Sequence, residues 1–348
     1  MRESKPRTRR DKRGELALLE LIRLRTSGQR SRGVRLGIGD DCALVLPRPG
    51  EELCVTTDLS IAGRHFRLDW HPPEAVGHRV LARGLSDLAA MGARPVAAFL
   101  SLGMPAELTV ANGRQRAWVD RFLDGLLRLA REHRTPLAGG DLAESPVALA
   151  DIVLIGAAPQ GRALLRSGAR RGDLIYVTGM LGGAAAGLAL LGSMAKGKKQ
   201  GAKPAEALGR MPATMRSALA PHLYPEPRIA QGQWLLRRQA ATAAMDLSDG
   251  LSTDLTHLCE ESRLAAEVDA AALPIHSGAT LAQALRGGED YELLFTAAPE
   301  TRMPTRIADV LVTRIGRMIP RHRDRARITL VTAKGSQPLK PQGWEHFR

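Results

Sequence analysis

The chain has 348 residues, 44% of them apolar and 3% aromatic, which gives enough material for a core without staples and excludes a disordered chain. Three widely spaced cysteines (Cys42, Cys54, Cys259) with no CxxC pair argue against a disulfide framework or a zinc site, and make a reducing cytoplasm the expected compartment. The formal charge of +14 invites a nucleic-acid reading, but the excess is peripheral: +5 in residues 1–14, +5 in 193–216 and +7 in 300–348, with −3 left for the remainder.

Residues 1–13 are expected to form a disordered basic tail, and with no apolar stretch behind its basic residues before Leu16 a secretory signal is not expected. From Gly14 to Thr26, leucines and Ile22 recur at helical spacing. Ala43–Leu46 and Leu53–Thr57 read as short apolar runs, the second ending at Asp58. Pro73 to Met91 predicts a helix opened by Pro72-Pro73-Glu74 and closed by Gly92. Val96–Leu102 predicts a strand, Val110–His133 a second long helix, and Val147–Gly156 another strand.

Pro159-Gln160-Gly161 and Arg170-Arg171-Gly172-Asp173 mark a seam, which divides the chain into domains at 14–158 and 159–348. Leu174 to Ala195 carries no charge but holds five glycines, so strand, glycine turn and helix is the reading rather than a membrane span. A Lys/Gly-rich exposed loop is expected near 194–205. Ala240–Met245 leads into Asp246, Ser252–Ser262 predicts a helix and Tyr291–Thr296 a strand. The alternation points to an α/β (α+β) protein.

Five segments share one form, an apolar run followed by one or two aspartates among Gly, Ser or Thr. They are Gly37-Ile38-Gly39-Asp40-Asp41, Thr56-Thr57-Asp58, Leu85-Ser86-Asp87, Gly139-Gly140-Asp141 and Met245-Asp246-Leu247-Ser248-Asp249-Gly250. They read as carboxylates offered from loops at strand or helix ends, hard oxygen ligands of the kind that suit Mg²⁺ completed by substrate phosphates. One such segment is ordinary turn or cap chemistry; five in one chain are not. A P-loop, a GxGxxG after a strand and an HExxH are all absent. His322-Arg323-Asp324 imitates a protein-kinase catalytic loop, but Asn112 is the only asparagine, so the metal-binding Asn that should follow is missing.

These segments, with Gly63-Arg64-His65-Phe66, Gly161 to Ala169, Gly172 to Gly179, Gly287-Gly288-Glu289-Asp290-Tyr291-Glu292-Leu293 and Gly343-Trp344-Glu345-His346-Phe347, resemble the thiamine-monophosphate kinase family in order from Gly14 to the C-terminus. That family belongs to the superfamily of aminoimidazole ribonucleotide synthetase and selenophosphate synthetase. The resemblance implies a two-domain fold whose N-terminal domain pairs across a homodimer, and a cytoplasmic transferase that makes thiamine diphosphate from thiamine monophosphate and ATP with several Mg²⁺ ions. It implies metal ligands at Asp41, Thr56, Thr57, Asp58, Asp87, Asp141, Asp246 and Asp249, with Asp40 a ligand or an orienting neighbour. It further implies ATP contacts at Gly140, Asp141, Arg166 and Ser248, and substrate contacts at His65, Glu289 and Trp344. Glu289 would balance the thiazolium charge and Trp344 would stack on it. The chain departs from the family pattern at Leu59-Ser60-Ile61, at Leu142 in place of a threonine, and at Gly182-Gly183.

The acceptor is a phosphate monoester with a second pKa of about 6, so its attacking oxygen is already ionised and no general base is expected. The obstacle is repulsion between polyanions, which a site rich in Asp and metal addresses. Two other readings remain open at this point: a related ATP-using synthetase, and a non-catalytic basic nucleic-acid-binding relative. Selenophosphate synthetase is disfavoured because no Cys lies in an N-terminal glycine-rich loop.

Overall fold

One buried helix wedged between two β-sheets organises the chain. The computed structural model describes residues 14–27, 33–111, 116–197, 205, 208–322, 324 and 326–343. The expected basic tail, most of the Lys/Gly-rich loop and Trp344 lie outside the described residues.

The first sheet has the order β3-β6-β4-β5, from β3 (Glu51–Ile61), β4 (Arg94–Met104), β5 (Leu137–Glu144) and β6 (Leu149–Pro159). Strand period sorts β3 cleanly: Cys54, Thr56, Asp58 and Ser60 are buried or half-buried, while Leu53, Val55, Thr57 and Leu59 are exposed. Helix α2 (Pro73–Ala90) and helix α3 (Trp118–Glu132) cover the inner face. These two helices approach closely because each offers a glycine: a Cβ on Gly77 would stand 1.9 Å from Phe122 O, and one on Gly125 1.9 Å from Glu74 O. Val76, Val80, Leu81, Leu85 and Leu88 pack there with Phe122, Leu123 and Leu126.

The second sheet runs β14-β13-β9-β12-β7-β10-β8, with β11 (Arg306–Ile307) on β12. Its strands are β7 (Leu174–Thr178), β8 (Ala243–Asp246), β9 (Ala265–Asp269), β10 (Leu293–Ala297), β12 (Val310–Ile319), β13 (Ile328–Thr332) and β14 (Gly335–Leu339). Helices α4 (Gly183–Gly197), α5 (Ala213–Leu223), α6 (Ile229–Arg238), α7 (Leu251–Glu261) and α8 (Leu281–Arg286) accompany it. α2 touches β8 and β10 as well as β3 and β6, so it belongs to both layers. The α/β class expected from the alternation is the class observed. Leu174–Ala195 divides into β7 and α4, and no described helix is long and apolar enough to cross a membrane.

Two boundaries differ from expectation. Val110 is extended (φ −106°, ψ 133°) after a 3₁₀ turn at Ala106–Thr109, and α3 begins only at Trp118. The strand expected from Tyr291 starts at Leu293, because Tyr291 has φ 51° and cannot join a ladder.

Candidate functional site

The aspartates do not come mainly from loops, as the flanking Gly, Ser and Thr implied. Asp58 lies within β3, Asp141 within β5 and Asp87 within α2; Asp246 closes β8; only Asp40, Asp41 and Asp249 are outside regular elements.

Helical spacing explains how α2 serves the site. Arg79, Arg83 and Asp87 recur every four residues and share one face, with Ser86 beside it. Arg83 Nη2 donates to Asp58 Oδ1 at 2.8 Å and its Nη1 to Ser60 Oγ at 3.1 Å. Thr56 Oγ1 donates to Asp87 Oδ2. Ser86 Oγ, fully buried, donates to Asp246 Oδ2 at 2.7 Å. Thus Thr56, Asp58, Asp87 and Asp246 meet where the two sheets face α2. Burial is the main cause that pushes Asp58, Asp87 and Asp246 above the ordinary carboxylate range. The charges of Asp246 and Asp58 add to the effect at Asp87.

Asp58, Asp87 and Asp246 wall a cavity of about 570 Å³ together with His65, Glu289 and Ser248, and Asp249 also lines it. Asp87 and Asp246 line a smaller cavity of about 290 Å³ as well, with Thr56 and the exposed Arg166. The two carboxylates therefore stand on the boundary between the two spaces. His65 Nδ1 accepts from the Ile61 N–H at 3.1 Å, so neutral His65 carries its proton on Nε2.

Neither Asp246 nor Asp249 caps α7. Gly250 occupies the cap, and Asp254 Oδ2 accepts from Asp249 N (3.1 Å) and Gly250 N (2.9 Å). Asp254 is 1% exposed, and burial pushes its carboxyl up to about 8.

The other predicted ligands stand elsewhere. Thr57 points to the opposite face from Thr56, where its Oγ1 donates to Asp151 Oδ1 at 2.9 Å. Asp141 pairs across β4 with Ser101, which pairs with Asp151, so these three share that outer face. Asp40, Asp41, Gly140 and Asp141 line a separate cavity of about 960 Å³ with Phe99 and the α1 helix (Glu15–Thr26). β3 and β5 are the two edges of a four-stranded sheet, three spacings or about 14 Å apart. One small cation cannot bridge Asp58 and Asp141 within a chain. Among the described residues, no three His, Cys, Asp or Glu side chains converge into a preformed metal cage. A few buried carboxylates without a closed cage suit a hard cation that substrate phosphates complete.

Sequence reasoning missed Arg79, Arg83, Asp151, His222 and Asp254. The i, i+4 spacing of Arg79 and Arg83 with Asp87 was a signal available in the sequence; Asp151 and His222 gave none, since their roles depend on pairing across long separations.

Two family models match the chain, "AIR synthase related protein, N-terminal domain" over residues 39–158 and "AIR synthase related protein, C-terminal domain" over residues 170–329. A relative from Escherichia coli K12 called thiamine-monophosphate kinase is 38% identical over 326 residues, covering 90% of this chain and 92% of the relative. The crystal structure of thiamine-monophosphate kinase from Stenotrophomonas maltophilia K279a is 37% identical with a TM-score of 0.75, over 91% of this chain and 96% of that one. AaThiL complexed with AMPPCP and TMP is 30% identical with a TM-score of 0.72, over 96% and 97% of the two chains.

Proposed function

Since the chain belongs to the thiamine-monophosphate kinases, phosphotransferases within the AIR synthase related proteins, we propose that it transfers the terminal phosphoryl group of ATP to the phosphate of thiamine monophosphate. The observation that carries this reading is the position of Asp87 and Asp246 between a cavity holding Arg166 and one holding His65 and Glu289.

In this reading the donor's phosphates lie beside Arg166 and reach past Asp87 and Asp246 to Ser248, which lines the 570 Å³ cavity that the acceptor occupies. An acceptor phosphate oxygen forms the new bond to the γ-phosphorus as the bond to the β-phosphate oxygen breaks, giving ADP and thiamine diphosphate. The acceptor is ionised at neutral pH, so the chain supplies no general base. Bound Mg²⁺ would neutralise the repulsion between the two polyanions. Thr56, Asp58, Asp87, Asp246 and Asp249 are the residues that would hold it. The chain's own contribution is to fix these oxygens before substrate arrives, through Arg83 on Asp58 and Ser86 on Asp246. Asp41, Gly140 and Asp141 serve the nucleotide from the roomier cavity and define a different cation position. Glu289 faces the cationic ring of the acceptor, with His65 Nε2–H directed to acceptor oxygens.

We also take residues 14–158 and 159–348 as the two domains, and the assembly as a homodimer. Leu53, Val55 and Leu59 leave an apolar stripe on the outer face of the first sheet, with Val55 64% exposed, and a second copy of the same sheet is the surface that suits it.

The test is product identification by ³¹P NMR after mixing protein, ATP, Mg²⁺ and thiamine monophosphate. A diphosphate doublet from thiamine diphosphate is expected together with ADP. ADP release without that product, or turnover only on another acceptor, overturns the assignment.

A further inference from the structure

Two buried histidines in the wall of the acceptor cavity, His71 and His222, join Arg79 in a set of polar residues that the transfer itself does not use. His71 is 2% exposed, His222 1% and Arg79 4%. His71 Nε2 and His222 Nε2 are 3.0 Å apart. Two imidazole nitrogens can meet at that distance only if one carries a proton and the other does not. Burial lowers the pKa of both rings, His71 to about 4, which keeps the pair neutral with a single proton between the facing atoms.

The pair has a fixed attachment at each end. His71 Nδ1 stands 3.1 Å from Arg67 N and 3.2 Å from Arg67 O, in the loop that follows β3 and carries His65. His222 Nδ1 stands 3.3 Å from Arg79 Nη1 and 3.5 Å from Glu289 Oε2. Arg79 in turn donates through Nη1 to the His222 carbonyl and through Nη2 to Glu289 Oε1. In either tautomer the His222 Nδ1 has a partner in the Arg79–Glu289 pair: a proton there goes to the carboxylate, and a bare nitrogen accepts from the guanidinium. Glu289 is held in the left-handed region at φ 68°, a conformation that its side-chain partners must help to maintain. The guanidinium lies behind and the carboxylate, 27% exposed, in front, so the pair presents its negative end to the cavity.

We propose that His222, braced by His71, is a positioning residue that holds the Arg79–Glu289 pair with its carboxylate toward the cavity, and so makes the acceptor site selective for a cationic ring. This rests on the reading of the cavity as the acceptor site. The contact that matters is the one made by Nδ1, since Nε2 only braces the ring against His71.

Two nearly isosteric substitutions separate these roles. In His222→Asn the amide nitrogen takes the place of Nδ1; in His222→Gln it takes the place of Nε2. We expect His222→Gln to raise the KM for thiamine monophosphate about tenfold, while kcat and the KM for ATP change less than about twofold. We expect His222→Asn to stay within about threefold of wild type in all three. Wild type should prefer thiamine monophosphate to its neutral isostere with a thiophene ring in place of the thiazolium, and His222→Gln should lose most of that preference. Equal KM values in the two variants, or a common fall in kcat, overturn the positioning role while leaving the kinase reading intact. A wild-type protein without turnover on thiamine monophosphate overturns both. If either variant fails to fold, thiamine monophosphate titrated calorimetrically into wild type and Glu289→Gln decides instead: unchanged affinity and unchanged preference over the thiophene isostere overturn the proposal.

Discussion

Ser86 Oγ donates a 2.7 Å hydrogen bond to Asp246 Oδ2 between residues 160 positions apart, tying helix α2 to the end of strand β8. Both groups are buried, so the bond replaces water for a carboxylate that has lost it. Losing a hydrogen bond to a buried charged group costs about 1–3 kcal/mol. Ser86 also opposes the burial that raises the Asp246 pKa. Ser86→Ala is therefore expected to lower kcat about tenfold and to move the acid limb of the pH–rate profile upward. An unmoved limb would show that Asp246 does not titrate in the working enzyme.

The raised carboxylates set a sign for stability. Asp87 binds its proton more tightly folded than unfolded, so its contribution to stability falls as pH rises through its folded pKa. The buried His71, His78 and His222 act in the opposite sense, since their lowered pKa values add stability as pH rises toward about 6.5. The comparison that isolates the aspartate is wild type against Asp87→Asn without Mg²⁺. The variant's Tm advantage should grow between about pH 4 and pH 7 and level off above, and added Mg²⁺ should stabilise wild type more than the variant. A constant difference across pH contradicts a carboxyl raised by burial and by its acidic neighbours.

Gly140 has φ 147°, and a Cβ there would stand 1.9 Å from Leu100 O on the paired strand. Gly140→Ala must push β5 away from β4 and displace Asp141. We expect a loss of about 2–4 kcal/mol by chemical denaturation, and a raised KM for ATP in whatever folds. A variant with wild-type stability would contradict this close approach.

Asp254 holds the Asp249 and Gly250 amides, and its carboxyl is pushed up to about 8. An amide mimics the protonated acid, so Asp254→Asn should keep activity within about threefold. Asp254→Ala removes the acceptor from both amides, of which the Gly250 N–H is buried, and should cost about 1–3 kcal/mol in stability, with a larger fall in activity. Equal effects of the two substitutions would remove Asp254 from the support of the loop.

Much of this was legible in the residues. Helix α2 is written in its Pro-Pro-Glu opening and Gly92 stop, and the middle of β3 in the apolar run Leu53–Thr57, which the structure extends to Glu51–Ile61. The clustered aspartates suggested phosphate and cation chemistry, which is the role proposed for them. What local pattern could not show was grouping. Thr56 and Thr57 are adjacent in sequence but face opposite sides of β3, because strand period separates neighbours. Asp58 and Asp141 share the same flanking chemistry yet stand on opposite edges of one sheet, a consequence of strand order that no motif encodes. Glu289 read as an open counter-charge; the structure gives it Arg79 and His222, from 210 and 67 positions away, as partners.

The central claim is that the carboxylates joined by α2 and β8 carry the phosphoryl transfer. The most direct test is the initial rate of thiamine diphosphate formation by Asp246→Asn at saturating ATP and Mg²⁺, with folding checked by circular dichroism. The account predicts a native spectrum and a rate at least about 10³-fold below wild type. A folded variant turning over within about threefold of wild type would contradict it.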